Sequence, residues 1–424
     1  MQSAMEVKNP SLAISGLDGD LTEEEVEIQT RLRNFAVATM RPVAASLDEM
    51  SAQEVIQPCS PLWKYLNDFD KLGIGPAELA EFGPQRLKRL LPIVFEELAY
   101  GDSGLAVAAF ISKTPASVAR ASGDPKLVDR FGGLRGCWVA TQADRGSDCV
   151  DYEGFEVAAG SKQSEGSLRA LVGSSEIVLT GHSSDWIACG PIAECGLVHC
   201  PADYGEGVIR PDGGVFGVGL LVPFDLPGVS VGSPNEKIGQ RSLPTGSIRF
   251  DDVRVPSSCL VHGRDSYNAS IDRFLLSGAM NIAAISTGIA RAAFEAAVKY
   301  AQDRRQGGVP LTHHQLVRWR LYEMWRKVEI SRAIVRRAAA YNFSPQGPHV
   351  LSAIAAKTTA SQSAFDVVSS AMQIFGANGV SRRHPIEKLL RDVQEPLVEA
   401  GENHFLALQG ANWLLRANQV VGFS

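Results

Sequence analysis

The sequence predicts an α+β protein in three parts: an N-terminal helical domain, a central small β-barrel or sandwich, and a C-terminal helical bundle. Three observations carry this expectation. First, residues 137–260 are rich in Val, Gly, Ser and Pro and hold short apolar or alternating runs, the texture of short strands joined by turns. Second, apolar residues recur at helical spacing on both sides of that region. Third, 424 residues at 45% hydrophobic and 21% charged are ordinary globular values, enough for two or three domains at about 150 residues each. The changes of texture put the boundaries at 1–136, 137–262 and 263–424.

Residues 1–16 read as a loose tail. Thr22 followed by Glu25 is a capping-box pattern, and the acidic residues behind it suit the positive end of a helix dipole. Ile28, Leu32, Phe35, Ala36 and Met40 then mark an amphipathic helix that Pro42 should end or kink. Further helices are predicted over residues 60–72 and 83–99. Residues 103–122 are small and apolar nearly all round, as in a buried helix, and Pro115 should kink or split them.

In the central region the runs 176–180, 196–199, 215–223 and 247–253 read as antiparallel strands. The helical period returns near Ser266. Segments 277–300, 312–341, 347–375, 385–395 and 404–419 read as helices separated by Gly and Pro breaks.

Lys plus Arg is 41 against 47 for Asp plus Glu, a formal net charge of −6, which argues against a duplex-binding protein. The seven cysteines form no C-x-x-C pair, and Cys195 and Cys200 with His199 match structural zinc spacing poorly, so no metal is expected. No secretory leader and no run of 18 apolar residues is visible, so a cytoplasmic protein with no membrane partner is expected.

Six local strings then follow one another. Ala140 to Asp148 reads Ala-Thr-Gln-Ala-Asp-Arg-Gly-Ser-Asp, and Asp185-Trp186-Ile187-Ala188-Cys189-Gly190 follows. Next come Lys237-Ile238-Gly239-Gln240-Arg241 and Phe250-Asp251-Asp252-Val253-Arg254-Val255-Pro256. Asp303-Arg304-Arg305-Gln306-Gly307-Gly308 leads to His314-Gln315. The last is Gln373-Ile374-Phe375-Gly376-Ala377-Asn378-Gly379, with Arg391-Asp392 beyond it. In this order and spacing they resemble the acyl-CoA dehydrogenase family of FAD enzymes, from roughly Leu21 to Trp413.

The resemblance implies a C-terminal four-helix bundle, a bound FAD and an acyl thioester substrate on CoA or on a carrier protein. Thr141 and Ser147 would supply flavin contacts from a loop rich in N–H and O–H donors. Trp186, Ile187 and Ala188 would lie beside the flavin, with the indole face excluding water. Arg304 and Gln315 match residues that reach the FAD of a neighbouring subunit, where a guanidinium fork suits a pyrophosphate. Gln373 and Gly376 match the adenosine-side contact, where a glycine lets backbone approach closely. A site shared between chains implies a homodimer or a homotetramer built from dimers.

The family's reaction needs a carboxylate to take a proton from Cα. Most members place it eight residues after the Arg-Asp pair, which here is Ala400. A minority place it ten residues before a glycine matching Gly288, which here is Gly278. Both positions lack a carboxylate. Glu399 and Glu402 flank the first and are the candidate bases; the alternative, which has the larger weight, is that they are solvated helix-cap acids near His404. Gln142 and Ala143 replace a family Glu-Pro, Ala188 removes a hydroxyl donor, and Gly307 removes an aromatic. Three activities follow as alternatives. They are a diverged dehydrogenase of specialised metabolism with a relocated base, a different flavin reaction on the same fold, and a non-catalytic binding subunit.

Overall fold

The computed structural model describes residues 16–154 and 165–421. Residues 1–15 of the expected tail lie outside them. Among the described residues nine α-helices come first: α1 (Glu23–Phe35), α2 (Arg41–Asp48), α3 (Ala52–Val55), α4 (Pro61–Asp70), α5 (Pro76–Glu81), α6 (Pro84–Gly101), α7 (Ser103–Ile111), α8 (Thr114–Ser122) and α9 (Pro125–Phe131). The capping box forms at α1: Thr22 Oγ1 accepts from Glu25 N and the Glu25 carboxylate accepts from Thr22 N. Pro42 does not end this run. It lies in the first turn of α2, and Ala36–Met40 widen into a π turn in front of it. Proline has no N–H to give and its ring crowds the preceding turn, so one wide turn lets the helix continue. Pro115 instead opens α8, after a break at Ser112 and Lys113.

The strands are β1 (Gly136–Val139), β2 (Leu168–Val172), β3 (Glu176–His182), β4 (Ile187–Ala188), β5 (Cys195–Asp203), β6 (Gly217–Pro223), β7 (Val229–Val231), β8 (Thr245–Gly246), β9 (Ile248–Pro256) and β10 (Leu260–His262). Eight of them form one curled sheet ordered β10-β6-β5-β2-β3-β9-β7, with β1 beside β5. The expectation of antiparallel strands needs one correction, because β5 pairs in parallel with both β1 and β2. β4 and β8 form a separate two-residue ladder.

The bundle comprises α10 (Tyr267–Asp303), α11 (Gln315–Asn342), α12 (Val350–Phe375) and α14 (Asn403–Val421), with the short α13 (Pro385–Asp392) between the last two. α10 begins ten residues before the expected start, and in that extension Ser270 Oγ meets His199 Nε2 of β5 at 3.1 Å. Its most apolar stretch is long enough to cross a membrane, yet 67% of that window is buried inside the protein.

Among the described residues two large apolar cores result, with two smaller clusters around Tyr267 and Leu406. One runs from the N-terminal helices into the bundle, and the other lies under the sheet against α8 and α9. A buried ionic knot ties the first together. Arg291 Nη1 lies 2.8 Å from Glu96 and 2.7 Å from Glu97, Arg332 Nη2 lies 2.6 Å from Glu96, and Arg33 Nε lies 2.6 Å from Glu97. Breaking such a group would strand a buried charge, so α1, α6, α10 and α11 hold one relative position.

Candidate active site

A cavity of about 1670 Å³ opens where the N-terminal helices, the sheet and the bundle meet. That exceeds the few hundred to 1,000 Å³ typical of a small-ligand pocket. Thr141, Ser147, Trp186, Ile187 and Ala188 all line it, as do Glu399, Ala400 and Gly278. Positions spread over 260 residues are therefore brought to one place.

One wall is the Thr141–Ser147 loop. Gln142 is buried and stitches the loop down: its N donates to Arg145 O at 2.7 Å, and its Oε1 accepts from Leu168 N at 2.8 Å. Thr141 Oγ1 shares a hydrogen bond with Ser184 Oγ at 2.6 Å. Ser147 Oγ accepts from Glu402 N at 2.9 Å, which leaves its own proton free to donate.

The adjoining wall is the β4–β8 ladder. Trp186, just before β4, is 62% exposed, with its ring on the cavity. Ala188 pairs with Thr245 across the ladder. Thr245 also lines the cavity, and its buried Oγ1 has no hydrogen-bond partner among the described residues. The sequence reading did not single out Thr245, because nothing local distinguishes one threonine in a turn-rich stretch.

A third wall holds the two expected base positions. A Cβ built on Gly278 of α10 would lie 3.2 Å from Ala400 Cβ. Ala400 has φ +51° and Gly401 φ +99°, so the chain turns sharply between Glu399 and Glu402. That turn sends the two candidate acids to different places. Glu399 lines the cavity, and its Oε2 accepts from Gln240 Nε2 at 3.0 Å. Burial pushes its carboxyl up to about 7, with the nearby Glu395 charge adding and Lys237 opposing. The same burial pushes the Glu395 carboxyl up and the Lys237 ammonium down.

Glu402 does not line the cavity. It caps the start of α14, accepting from His404 N and Phe405 N at 2.9 Å each and meeting His404 Nδ1 at 2.7 Å. Burial alone would raise its carboxyl, but those N–H donors outweigh it and hold the group below its ordinary value. Of the two readings the sequence left open, the helix cap is the one its surroundings match.

Two further residues support the loop. Lys357 of α12 is buried, and its Nζ donates to Gly401 O at 2.7 Å and Asn403 Oδ1 at 2.8 Å. Gln240 has φ +43°, a left-handed backbone that costs about 1–2 kcal/mol for a residue with a Cβ. Its N–H donates to the buried Asp392 Oδ1 at 2.7 Å.

The cavity continues between α5, α6 and α7 along Leu79, Leu87, Leu91, Phe95 and Phe110. This arm is apolar, and the Phe95 and Phe110 rings meet tilted by 40° with centroids 4.2 Å apart.

Arg304, Gln315, Gln373 and Gly376 lie elsewhere. All four are exposed and none lines this cavity. They gather near one end of the bundle, where Tyr300 of α10 stacks on Phe375 of α12 at 4.1 Å. Gly376 caps α12 at φ +59°, and a Cβ there would meet nothing within 4 Å.

Comparison with known proteins finds relatives of one family. A sequence model of the acyl-CoA dehydrogenase C-terminal domain matches residues 269–415. A probable acyl-CoA dehydrogenase of Bacillus subtilis is 27% identical over 389 residues, covering 90% of this chain and 95% of that protein. The benzylmalonyl-CoA dehydrogenase of Aromatoleum aromaticum is 28% identical, covering 92% and 98%. Glutaryl-CoA dehydrogenase from Mycobacterium smegmatis superimposes with a TM-score of 0.78 at 20% identity, over 95% of this chain and 98% of that one. A second structure of that enzyme, in complex with FADH2, gives 0.77 at 20% identity, over 94% and 96%.

Proposed function

The chain belongs to the acyl-CoA dehydrogenase family, and from that premise we propose that it oxidises an acyl thioester with Glu399 as the base. The observation that carries this reading is Glu399 itself. It directly precedes Ala400 of the Gly278–Ala400 gap, it lines the cavity together with Glu395, and burial pushes its carboxyl up to about 7. A base titrating near the working pH is ionised often enough to accept a proton and weak enough an anion to release it again.

FAD is the family's cofactor, and the cavity fits it. The volume exceeds what an acyl group needs, the exposed Trp186 ring offers a flat apolar face, and Thr245 holds a hydroxyl without a partner. Thr141 and Ser147 would hold the dinucleotide through their hydroxyls. When bound, FAD supplies the acceptor for the hydride that leaves Cβ. The chain's own residues do the rest. Glu399 takes the proton from Cα, and Lys357 pins the loop that carries it. The arm lined by Leu91, Phe95 and Phe110 takes the acyl chain and excludes water.

Arg304, Gln315, Gln373 and Gly376 are assigned to the FAD of a second copy of this chain, which suits their exposure away from their own cavity. The thioester is carried by CoA or by a carrier-protein phosphopantetheine. The altered residues at 142, 188, 278 and 400 support a place in specialised metabolism.

The test is anaerobic mixing of the FAD-loaded protein with acyl thioesters, which should bleach the visible flavin absorption. Glu399→Gln should slow bleaching by on the order of 10²-fold or more, while Glu402→Gln should leave it near wild type. Bleaching that survives Glu399→Gln overturns the base. Oxygen consumption without thioester-driven bleaching would indicate a different flavin reaction.

A further inference from the structure

We propose that Gln240 is a positioning residue for Glu399, holding the carboxylate in the cavity in both of its protonation states. This rests on the reading of Glu399 as the base.

A chain of linked constraints fixes Gln240. Its predecessor Gly239 is pressed onto α13: a Cβ there would lie 2.1 Å from Arg391 O, so only glycine allows the approach. Gln240 itself then takes φ +43°, and the buried Asp392 accepts its N–H at 2.7 Å. Asp392 is in turn anchored by Lys388 Nζ at 2.6 Å, which also meets Asp102 at 2.6 Å. A left-handed backbone on a residue with a Cβ persists only where its surroundings over-determine it, and such residues cluster at functional sites. Nothing in this turn needs a long amide. What the arrangement achieves is to aim one at Glu399, with Nε2 to Oε2 at 3.0 Å.

The other end of the amide carries the argument further. Gln240 Oε1 is buried and has no hydrogen-bond partner among the described residues. A buried acceptor left unpaired is costly. An amide, however, presents a donor and an acceptor on one planar group. With Glu399 ionised, Nε2 donates to it, as observed. Once Glu399 has taken the proton, it becomes a donor, and a half-turn of the amide lets Oε1 accept its O–H. The base thus keeps a partner before and after proton transfer. The charged groups around the carboxylate are Glu395 on its own turn, Lys237 on the loop of Gln240, and Lys357 on α12. None of them makes a hydrogen bond to Glu399 that competes with the amide among the contacts described.

The experiment is the pH profile of anaerobic flavin reduction in Gln240→Leu and Gln240→Gly. Leucine removes the amide at similar size. Glycine removes it while suiting the left-handed backbone, so it folds even where leucine does not. Gln240 bonds both forms, but its bond to the carboxylate is charge-assisted and about twice as strong as that to the neutral acid, so losing both should move the midpoint up by about one pH unit. The rate at neutral pH should then fall by about fivefold, approach a tenfold loss in acid, and recover at alkaline pH. A merely structural role would lower the rate equally at every pH. A midpoint unchanged in Gln240→Gly overturns the proposal. The Glu399→Gln variant separates the two readings: if it reduces flavin normally, the base assignment fails, whereas if it is inactive and the Gln240 midpoint is unmoved, only the positioning role fails.

Discussion

Gly278 and Ala400 meet across the cavity, 3.2 Å apart when a Cβ is built on the glycine. One sits on the first bundle helix and the other on a loop 122 residues later, yet both address the same point. That convergence explains why a carboxylate on either element can serve one reaction. In this chain neither position supplies it, and Glu399 is the acid that borders the space left over.

Restoring the acid to its usual place should therefore recover activity. Ala400→Glu in a Glu399→Gln background should regain at least tenfold in the rate of anaerobic flavin reduction. Ala400 already has φ +51°, so the change adds a side chain to a backbone that carries one. No recovery would mean that Glu399 works from a geometry the 400 position cannot reproduce.

The pH dependence has a definite sign. Glu399 acts when ionised and titrates at about 7, chiefly because it is buried. Flavin reduction should rise with pH through that value. Glu395→Gln removes a neighbouring negative charge and should lower the midpoint. Lys237→Met removes a positive one and should raise it. Stopped-flow rates between pH 5.5 and 9 measure all three, and two variants moving in the same direction would contradict the electrostatic account.

The same group should weaken the fold. An ordinary glutamate titrates at 4.5, and Glu399 in the folded chain at about 7. Between these values the folded state binds more protons than the unfolded one, so its contribution to stability falls as pH rises, and the loss is complete above 7. Glu399→Gln should raise the melting temperature at pH 8 and have little effect near pH 4.5. A gain that is equal at both pH values would point to packing instead.

Lys357 should matter for both stability and rate. Lys357→Met leaves Gly401 O without its ammonium donor and Asn403 Oδ1 with only Ser361 Oγ at 3.3 Å, at a cost of about 2 kcal/mol. Denaturant unfolding reads the stability. The rate of flavin reduction should fall with it, because the turn carrying Glu399 loses its anchor. A loss of stability with an unchanged rate would show that the loop holds its shape without the lysine.

The sequence alone determined the three-part order of helices, sheet and bundle, because helical and strand periods are local properties of neighbouring residues. It also placed Thr141, Ser147, Trp186 and Ala188 together through their strings, and exposed the gaps at 278 and 400. What it could not reach were relations between distant segments. The parallel pairing of β5 depends on how connections cross the sheet, and the π turn before Pro42 on packing that keeps the helix intact. Above all, the sequence left Glu399 and Glu402 equal. Two consecutive residues at positive φ separate them, sending one acid into the cavity and the other onto a helix end. Gln240 and Lys357, 159 and 42 residues from Glu399, then hold that turn in place. A carboxylate's character is set by its dielectric surroundings and its partners, and only the folded chain supplies either.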